Sequence, residues 1–346
     1  MPAPEADRDT LAAGVDVGAD HSGVMWMPTQ PPTLARLMAI QLDWTSVIPA
    51  LAVLALALYL LGVIRLRRSG VGWAWHRTMT FTLGVLSVLA VTATGVQGYG
   101  MVLFSIHMSQ HMVLSMVSPI LLLLGAPVTL ALRTLPRGHE RAGASRRWLL
   151  VALHSRFAAV VSHPGFTMPL FIASLYGIYF TPLVDLMMEN AVGHIVMLGH
   201  FLVTGLLFFG GVLAVDPWPH SSRHPVRMLE LLLPMPMHAF FGVAIMMAST
   251  PLVRIFSDPP AAWDIDPMAD QSTAGSLTWV FGELPTILVL GVVFFSWVAS
   301  DERRNRAADR AEARSGDLDL AAYNAHLAQL AQQSARSPGT DAVPSR

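Results

Sequence analysis

The chain has 346 residues, of which 53% are hydrophobic and only 13% charged, with a formal net charge of −1. A soluble chain carries about 25% charged residues, and a balanced charge gives no field for binding nucleic acid. With no Cys anywhere, disulfides, thiolate zinc sites, iron–sulfur clusters and thiol catalysis are excluded.

Residues 1–43 come first. They carry Pro and Asp without periodicity, which predicts a flexible extracytoplasmic arm. No apolar stretch follows a basic start there, so a cleavable signal peptide is not expected and the first span would direct insertion. His21, with Met25 and Met27, leaves open a copper-catching role for this arm.

Seven apolar runs then follow: Trp44–Ile64, Thr78–Tyr99, Phe104–Leu124, Phe166–Leu186, Val192–Ala214, Met228–Thr250 and Gly275–Ala299. Each approaches the ~20 residues that cross a bilayer. The third continues through Gly125-Ala-Pro127 to Leu132. Uninterrupted, it would reach ~42 Å against a hydrocarbon core of ~30 Å. The Gly-Ala-Pro step is therefore expected to end the span, leaving Val128–Leu135 along the inner interface.

Arginine supplies every basic side chain, and its placement orients the chain. Alternate loops and the tail hold 19 of the 22, including Arg65, Arg67, Arg68 and Arg77, Arg133 to Arg156, and Arg303 to Arg346. The opposite side holds Arg8, Arg36 and Arg254. The expected fold is all-α: a polytopic membrane helix bundle of about seven transmembrane helices over residues 44–300, N-terminus outside and C-terminus cytoplasmic. Residues 301–346 form a charged cytoplasmic tail. In it Leu320, Tyr323, Leu327 and Leu330 mark one face of a short helix, expected to lie on the protein or the inner membrane surface.

Ionisable groups inside spans cost ~2.5–3.5 kcal/mol each on insertion scales, so each needs a reason. The third run opens Ile106-His107-Met108-Ser109-Gln110-His111-Met112. Spacing of four puts His107 and His111 on one helical face, and Met108, Met112 and Met116 on the adjoining one. The fifth run carries His194, Met197 and His200; the sixth His238; the seventh Glu283, ahead of Pro285. Counted from the outer ends, depths are ~5 Å for His107, ~10 Å for His111, ~6 Å for His194, ~15 Å for His200, ~12 Å for Glu283 and ~18 Å for His238. Four helices thus bring ligand-type groups into one slab. Imidazole and thioether suit copper, above all Cu(I). The competing reading for each polar residue is helix–helix glue, and for each Met a gap-filler.

At these residues the sequence resembles the CtaG-like family of bacterial cytochrome c oxidase assembly factors. The stretches that carry the resemblance are His107-Met-Ser-Gln-His111-Met, Gly125-Ala-Pro-Val-Thr-Leu-Ala-Leu-Arg133, Ser174-Leu-Tyr-Gly-Ile-Tyr-Phe-Thr-Pro182 and Gly193-His194 through His200-Phe201. Further ones are Val215-Asp-Pro217, Met235-Pro-Met-His-Ala-Phe-Phe-Gly-Val243, Asp270-Gln271, Gly282-Glu-Leu-Pro-Thr286 and Leu320-Ala-Ala-Tyr-Asn-Ala-His-Leu327. The resemblance implies a multi-pass protein of the bacterial plasma membrane that helps mature a haem–copper oxidase, with oxidase subunits or other assembly factors as partners. His107, His111, His194, His200, His238 and Glu283 are the residues it puts at stake.

The expected function is a non-enzymatic factor that holds or delivers Cu(I) on the outer side. Its ligands would be His107, His111 and Met112 with His194 or His200, and Glu283 would orient one imidazole. The alternatives are a copper transporter and a bis-His haem protein. Against transport, no ligand chain reaches the inner surface. Haem ligation would pair His111 with His200 and leave His107 and the Met stripe without a role.

Overall fold

The computed structural model of the chain describes residues 26–42, 47–136, 143–220 and 222–336. His21, Met25 and Trp44 lie outside them. In chain order the helices are α1 (Leu34–Met38), α2 (Val47–Arg68), α3 (Trp75–Thr92), α4 (Val96–Tyr99) and α5 (Phe104–Met112). A π-helical turn, Val113–Val117, leads into α6 (Ser118–Leu124), followed by α7 (Pro127–Thr134), α8 (Ala144–Leu153) and α9 (Arg156–Val161). Next come α10 (Pro164–Tyr179), α11 (Leu183–Met188), α12 (Ala191–Leu213), α13 (His224–Leu232), α14 (Pro234–Met247) and α15 (Pro267–Arg336). Among the described residues there is no strand, only an isolated bridge between Ile40 and Thr94.

Among the described residues five helical stretches are long and apolar enough to cross a membrane: Val47–Arg68, Phe104–Thr134, Ala191–Leu213, His224–Met247 and Pro267–Ala313. The other two runs form shorter helices. α3 has 18 residues and α10 has 16, ~27 Å and ~24 Å at the usual rise. Each is cut short by a bend inside its apolar run. α3 stops at Ala93 ahead of Gly95, and α10 at Phe180 ahead of Pro182. α4 and α11 follow as separate short helices.

α12 lies at the centre of residues 1–289, packed against α6, the π turn, α10, α11 and α13. The close approach requires Gly205, where a Cβ would fall 2.2 Å from the Ser115 carbonyl oxygen. Gly242 and Gly275 bring α14 and α15 equally near, each facing the other's carbonyl. Small residues at helix crossings are how membrane bundles gain van der Waals contact.

The π turn has a local cause. Pro119 has no N–H to give and its ring crowds the carbonyl four residues earlier, that of Ser115. One extra residue per turn relieves the conflict, and the Ser115 hydroxyl donates to the His111 carbonyl at 2.8 Å. Such bulges recur at functional sites.

The Gly-Ala-Pro step behaves as its residues demand. α6 ends at Leu124, Ala126 is left-handed at φ 51°, and α7 starts at Pro127. Tyr59 donates to the Gly125 carbonyl at 2.8 Å and stacks on Phe81. Asp216 caps α7, accepting from Val128 N at 3.0 Å and Thr129 N at 2.7 Å.

Residues 26–42, expected within a flexible arm, instead pack on α4 and its surroundings. Tyr99 donates to the Gln30 carbonyl at 2.9 Å, Gln41 N donates to Ala93 O at 2.9 Å, and Trp26 fills the space above Gly98. A cluster of Tyr99, Leu103 and Trp263 draws in Trp26 and Leu37. The anchors are aromatic side chains far along the chain, and the arm's own lack of periodicity gives no hint of them.

Residues 290–346 form a second unit. Its helix is the continuation of α15 to Arg336, where a separate short helix was expected. Leu320, Tyr323, Leu327 and Leu330 are exposed.

Candidate functional site

Leu103 is extended, so α5 begins at Phe104 with its first N–H groups free to be capped. Asp270, from the first turn of α15, supplies the cap: Phe104 N donates to Oδ2 at 2.6 Å and Ser105 N at 3.2 Å, while the Ser105 hydroxyl donates to Oδ1. A carboxylate there also meets the positive end of the helix dipole. This pins the register of α5, with His107 in its first turn and His111 in the next.

Both imidazoles are buried, and both meet the hydroxyl of Tyr179, the last residue of α10. Tyr179 Oη lies 2.9 Å from His107 Nε2 and 3.0 Å from His111 Nδ1. Its ring lies nearly parallel to that of His111, and Phe201 of α12 stacks on the same imidazole with ring centroids 3.8 Å apart. His107 Nδ1 is buried and makes no hydrogen bond, the backbone of Gly100 being the polar group that faces it. Above it, Phe256 packs on both His107 and Phe104.

α12 starts where Asn190 accepts from Gly193 N at 2.8 Å, which sets His194 in its first turn. His194 is 0% exposed, and neither ring nitrogen has a hydrogen-bond partner. One turn on, Met197 is fully buried, as are Met108 and Met112 on α5. Burying a polar group unpaired costs about 1–3 kcal/mol. Three such nitrogens, one on α5 and two on α12, are therefore an expensive arrangement.

The remaining site candidates have found other partners. His200 Nε2 is 2.8 Å from the Ser174 hydroxyl, which itself donates to the Leu170 carbonyl at 2.6 Å. Ser174 must then accept, so His200 carries its proton on Nε2. His238 Nδ1 faces the Pro234 carbonyl one turn earlier at 3.2 Å, with Gly282 packed on its ring. That is the local satisfaction expected of helix glue. Glu283 accepts from Trp279 Nε1 at 2.5 Å, within its own helix. The indole that reaches it lies one turn away on α15.

Among the described residues no three His, Asp or Glu side chains are grouped so as to hold a metal ion. Sequence reasoning missed Tyr179 and the capping role of Asp270, although both lie in stretches quoted above. The available signal for Tyr179 was a phenol in an apolar run beside two costly imidazoles, since a buried Tyr hydroxyl finds a partner.

The sequence matches the family model described as cytochrome c oxidase caa3 assembly factor (Caa3_CtaG) over residues 57–300, which contain every site residue named here. Curated relatives are uncharacterized proteins of Mycobacterium bovis and Mycobacterium tuberculosis, each 40% identical over 306 residues, covering 88% of this chain and 46% of theirs. A Mycobacterium leprae protein is 37% identical over the same length. The chain thus spans about half the length of these curated relatives. No solved structure matches it.

Proposed function

This chain belongs to the cytochrome c oxidase caa3 assembly factor family, and from that premise we propose that it holds Cu(I) during oxidase maturation and passes it to oxidase subunits or another assembly factor. It does so without catalysis, on the outer side of a bacterial plasma membrane. The spanning arrangement is seven helices, N-terminus out, as the arginine distribution favours.

One observation carries the reading: His107 Nδ1 and both nitrogens of His194 are buried without hydrogen-bond partners, on α5 and α12, helices that also bury Met108, Met112 and Met197. Unpaired lone pairs in an apolar slab are unfavourable unless a ligand completes them. In a chain without Cys, imidazole and thioether are the soft donors left, and that set selects Cu(I) over hard cations. Two of the carboxylates near the outer ends are engaged elsewhere, Asp270 in capping α5 and Asp185 in accepting from Ile255 N at 3.0 Å. Copper here is cargo, so the site must release it as well as bind it.

The test is Cu(I) retention by the full chain in mild detergent, read by competition with a chromophoric chelator under anaerobic reduction. Retention of about one Cu(I) per chain, lost in the His107→Ala/His194→Ala double variant at equal protein, is the expected result. Wild-type protein that yields all its Cu(I) to a weak chelator would sink the proposal.

A further inference from the structure

We infer that Tyr179 divides the roles of the two imidazoles on α5: His107 faces the cargo through Nδ1, together with His194 of α12, while His111 stands behind as a proton-holding support and is not a ligand. The inference rests on the copper reading above and specifies which nitrogens serve it.

The argument is a proton count. The Tyr179 hydroxyl has one proton and lies within hydrogen-bonding distance of two ring nitrogens, His107 Nε2 at 2.9 Å and His111 Nδ1 at 3.0 Å. It can donate to only one of them, so the other ring must donate to it. A neutral imidazole carries one N–H and one bare nitrogen. If His107 Nε2–H donates to Tyr179, then His107 Nδ1 is bare, Tyr179 donates to His111 Nδ1, and the His111 proton sits on Nε2. In the reverse arrangement His107 carries its proton on Nδ1, and His111 Nε2 is bare. Either way the pair offers one bare nitrogen. Helical spacing suggests a two-imidazole clamp, and the shared phenol prevents one while both bonds stand.

The surroundings select between the arrangements. His107 Nδ1 is buried and without a hydrogen bond. The Gly100 backbone near it does not reach hydrogen-bond geometry, so a proton on it would be a poorly satisfied buried donor, whereas a bare lone pair is what a cation completes. His194, on α12, likewise has both ring nitrogens buried and unpartnered. The His111 ring lies nearly parallel to those of Phe201 and Tyr179, which fixes the plane in which it accepts from the phenol. Tyr179 is thus a positioning residue. It stands to His107 as the carboxylate or carbonyl behind a metal-bound histidine usually does, setting tautomer and orientation through the other nitrogen.

The test uses the full-length chain in lipid nanodiscs and has two readouts. In copper-free protein labelled with 15N-histidine, NMR shifts report which nitrogen carries the proton, with signals assigned from single His→Gln variants. Both His107 and His111 are expected as Nε2–H, and Tyr179→Phe is expected to release His107 from that single tautomer. Cu(I) competition then gives affinities. His107→Ala and His194→Ala should each lose more than about 100-fold, while His111→Gln and Tyr179→Phe should lose on the order of 10- to 100-fold, as for outer partners of a ligand. Nδ1–H on His107 in the wild type would overturn the inference. So would a His111→Gln loss as deep as that of His107→Ala, with both variants retaining wild-type thermal unfolding. Absence of Cu(I) binding in the wild type would refute the copper reading and the ligand assignment with it, while the tautomer result still decides whether Tyr179 orders the pair.

Discussion

Replacing Asp270 by Ala should loosen the first turn of α5, and the size of the effect follows from what the carboxylate holds. It accepts from two backbone N–H groups and one hydroxyl, 165 and 166 positions away in sequence. Loss of an ordinary N-cap costs about 0.5–2 kcal/mol. Here Phe104 is buried, so its N–H is not simply rehydrated, and an orphaned buried donor costs about 1–3 kcal/mol. Ser105 is partly exposed and recovers water at its N–H and hydroxyl. The net expectation is about 2–4 kcal/mol for Asp270→Ala and about half that for Asp270→Asn, which keeps one carbonyl oxygen. The assay is the unfolding midpoint of the full chain in mixed micelles, followed by tryptophan fluorescence. Asp309→Ala, at an exposed position of α15, serves as control and should stay within about 0.5 kcal/mol of wild type. An Asp270→Ala midpoint equal to that control would refute the capping argument, and with it the claim that α15 sets the register of His107.

Three further outcomes are expected. A reporter fused after Ser300 should lie in the cytoplasm and one inserted near Asp264 should be exported, because 19 of 22 arginines fall on the proposed inner side; both on one side would change the helix count by one. Protein purified in mild detergent should show no Soret absorption, since His/Met donors suit copper better than paired haem ligation; a stoichiometric haem spectrum bleached by His111→Ala would reverse that ranking. Gly205→Ala should lower the amount of folded protein in the membrane, because its Cβ would stand 2.2 Å from the Ser115 carbonyl oxygen, and backbone cannot swing aside as a side-chain tip can; wild-type amount and stability would mean that α12 and the π turn separate at little cost.

What could be read from the sequence was whatever leaves a mark in one dimension. The apolar runs were legible because an uninterrupted stretch has few other uses, and the break at Gly125-Ala-Pro127 because Pro127 cannot continue a helix into the residues before it. The ends of α3 and α10 were not, since the apolar composition runs on through the bends at Ala93–Gly95 and Phe180–Pro182 into α4 and α11. His107, His111, His194, His200 and His238 announced themselves by their cost in an apolar run. Cost does not say how a group is satisfied. His238 is answered four residues away by Pro234, and Glu283 four residues away by Trp279, distances a helical wheel covers but cannot choose among. Tyr179 was hidden for the opposite reason: a tyrosine near the end of a membrane run is ordinary, and only the meeting of α5 with α10 gives its hydroxyl two imidazoles. Asp270 looked like one more outer acid until the fold set it under α5. The sequence therefore picks out the groups that need a partner, and the fold supplies most of them. Among the imidazoles of the described residues, His107 Nδ1 and both nitrogens of His194 are buried and left unsupplied. Because burial of those nitrogens is unfavourable in the resting protein, something other than stability has to account for them, and the Cu(I) cargo proposed above would account for both at once.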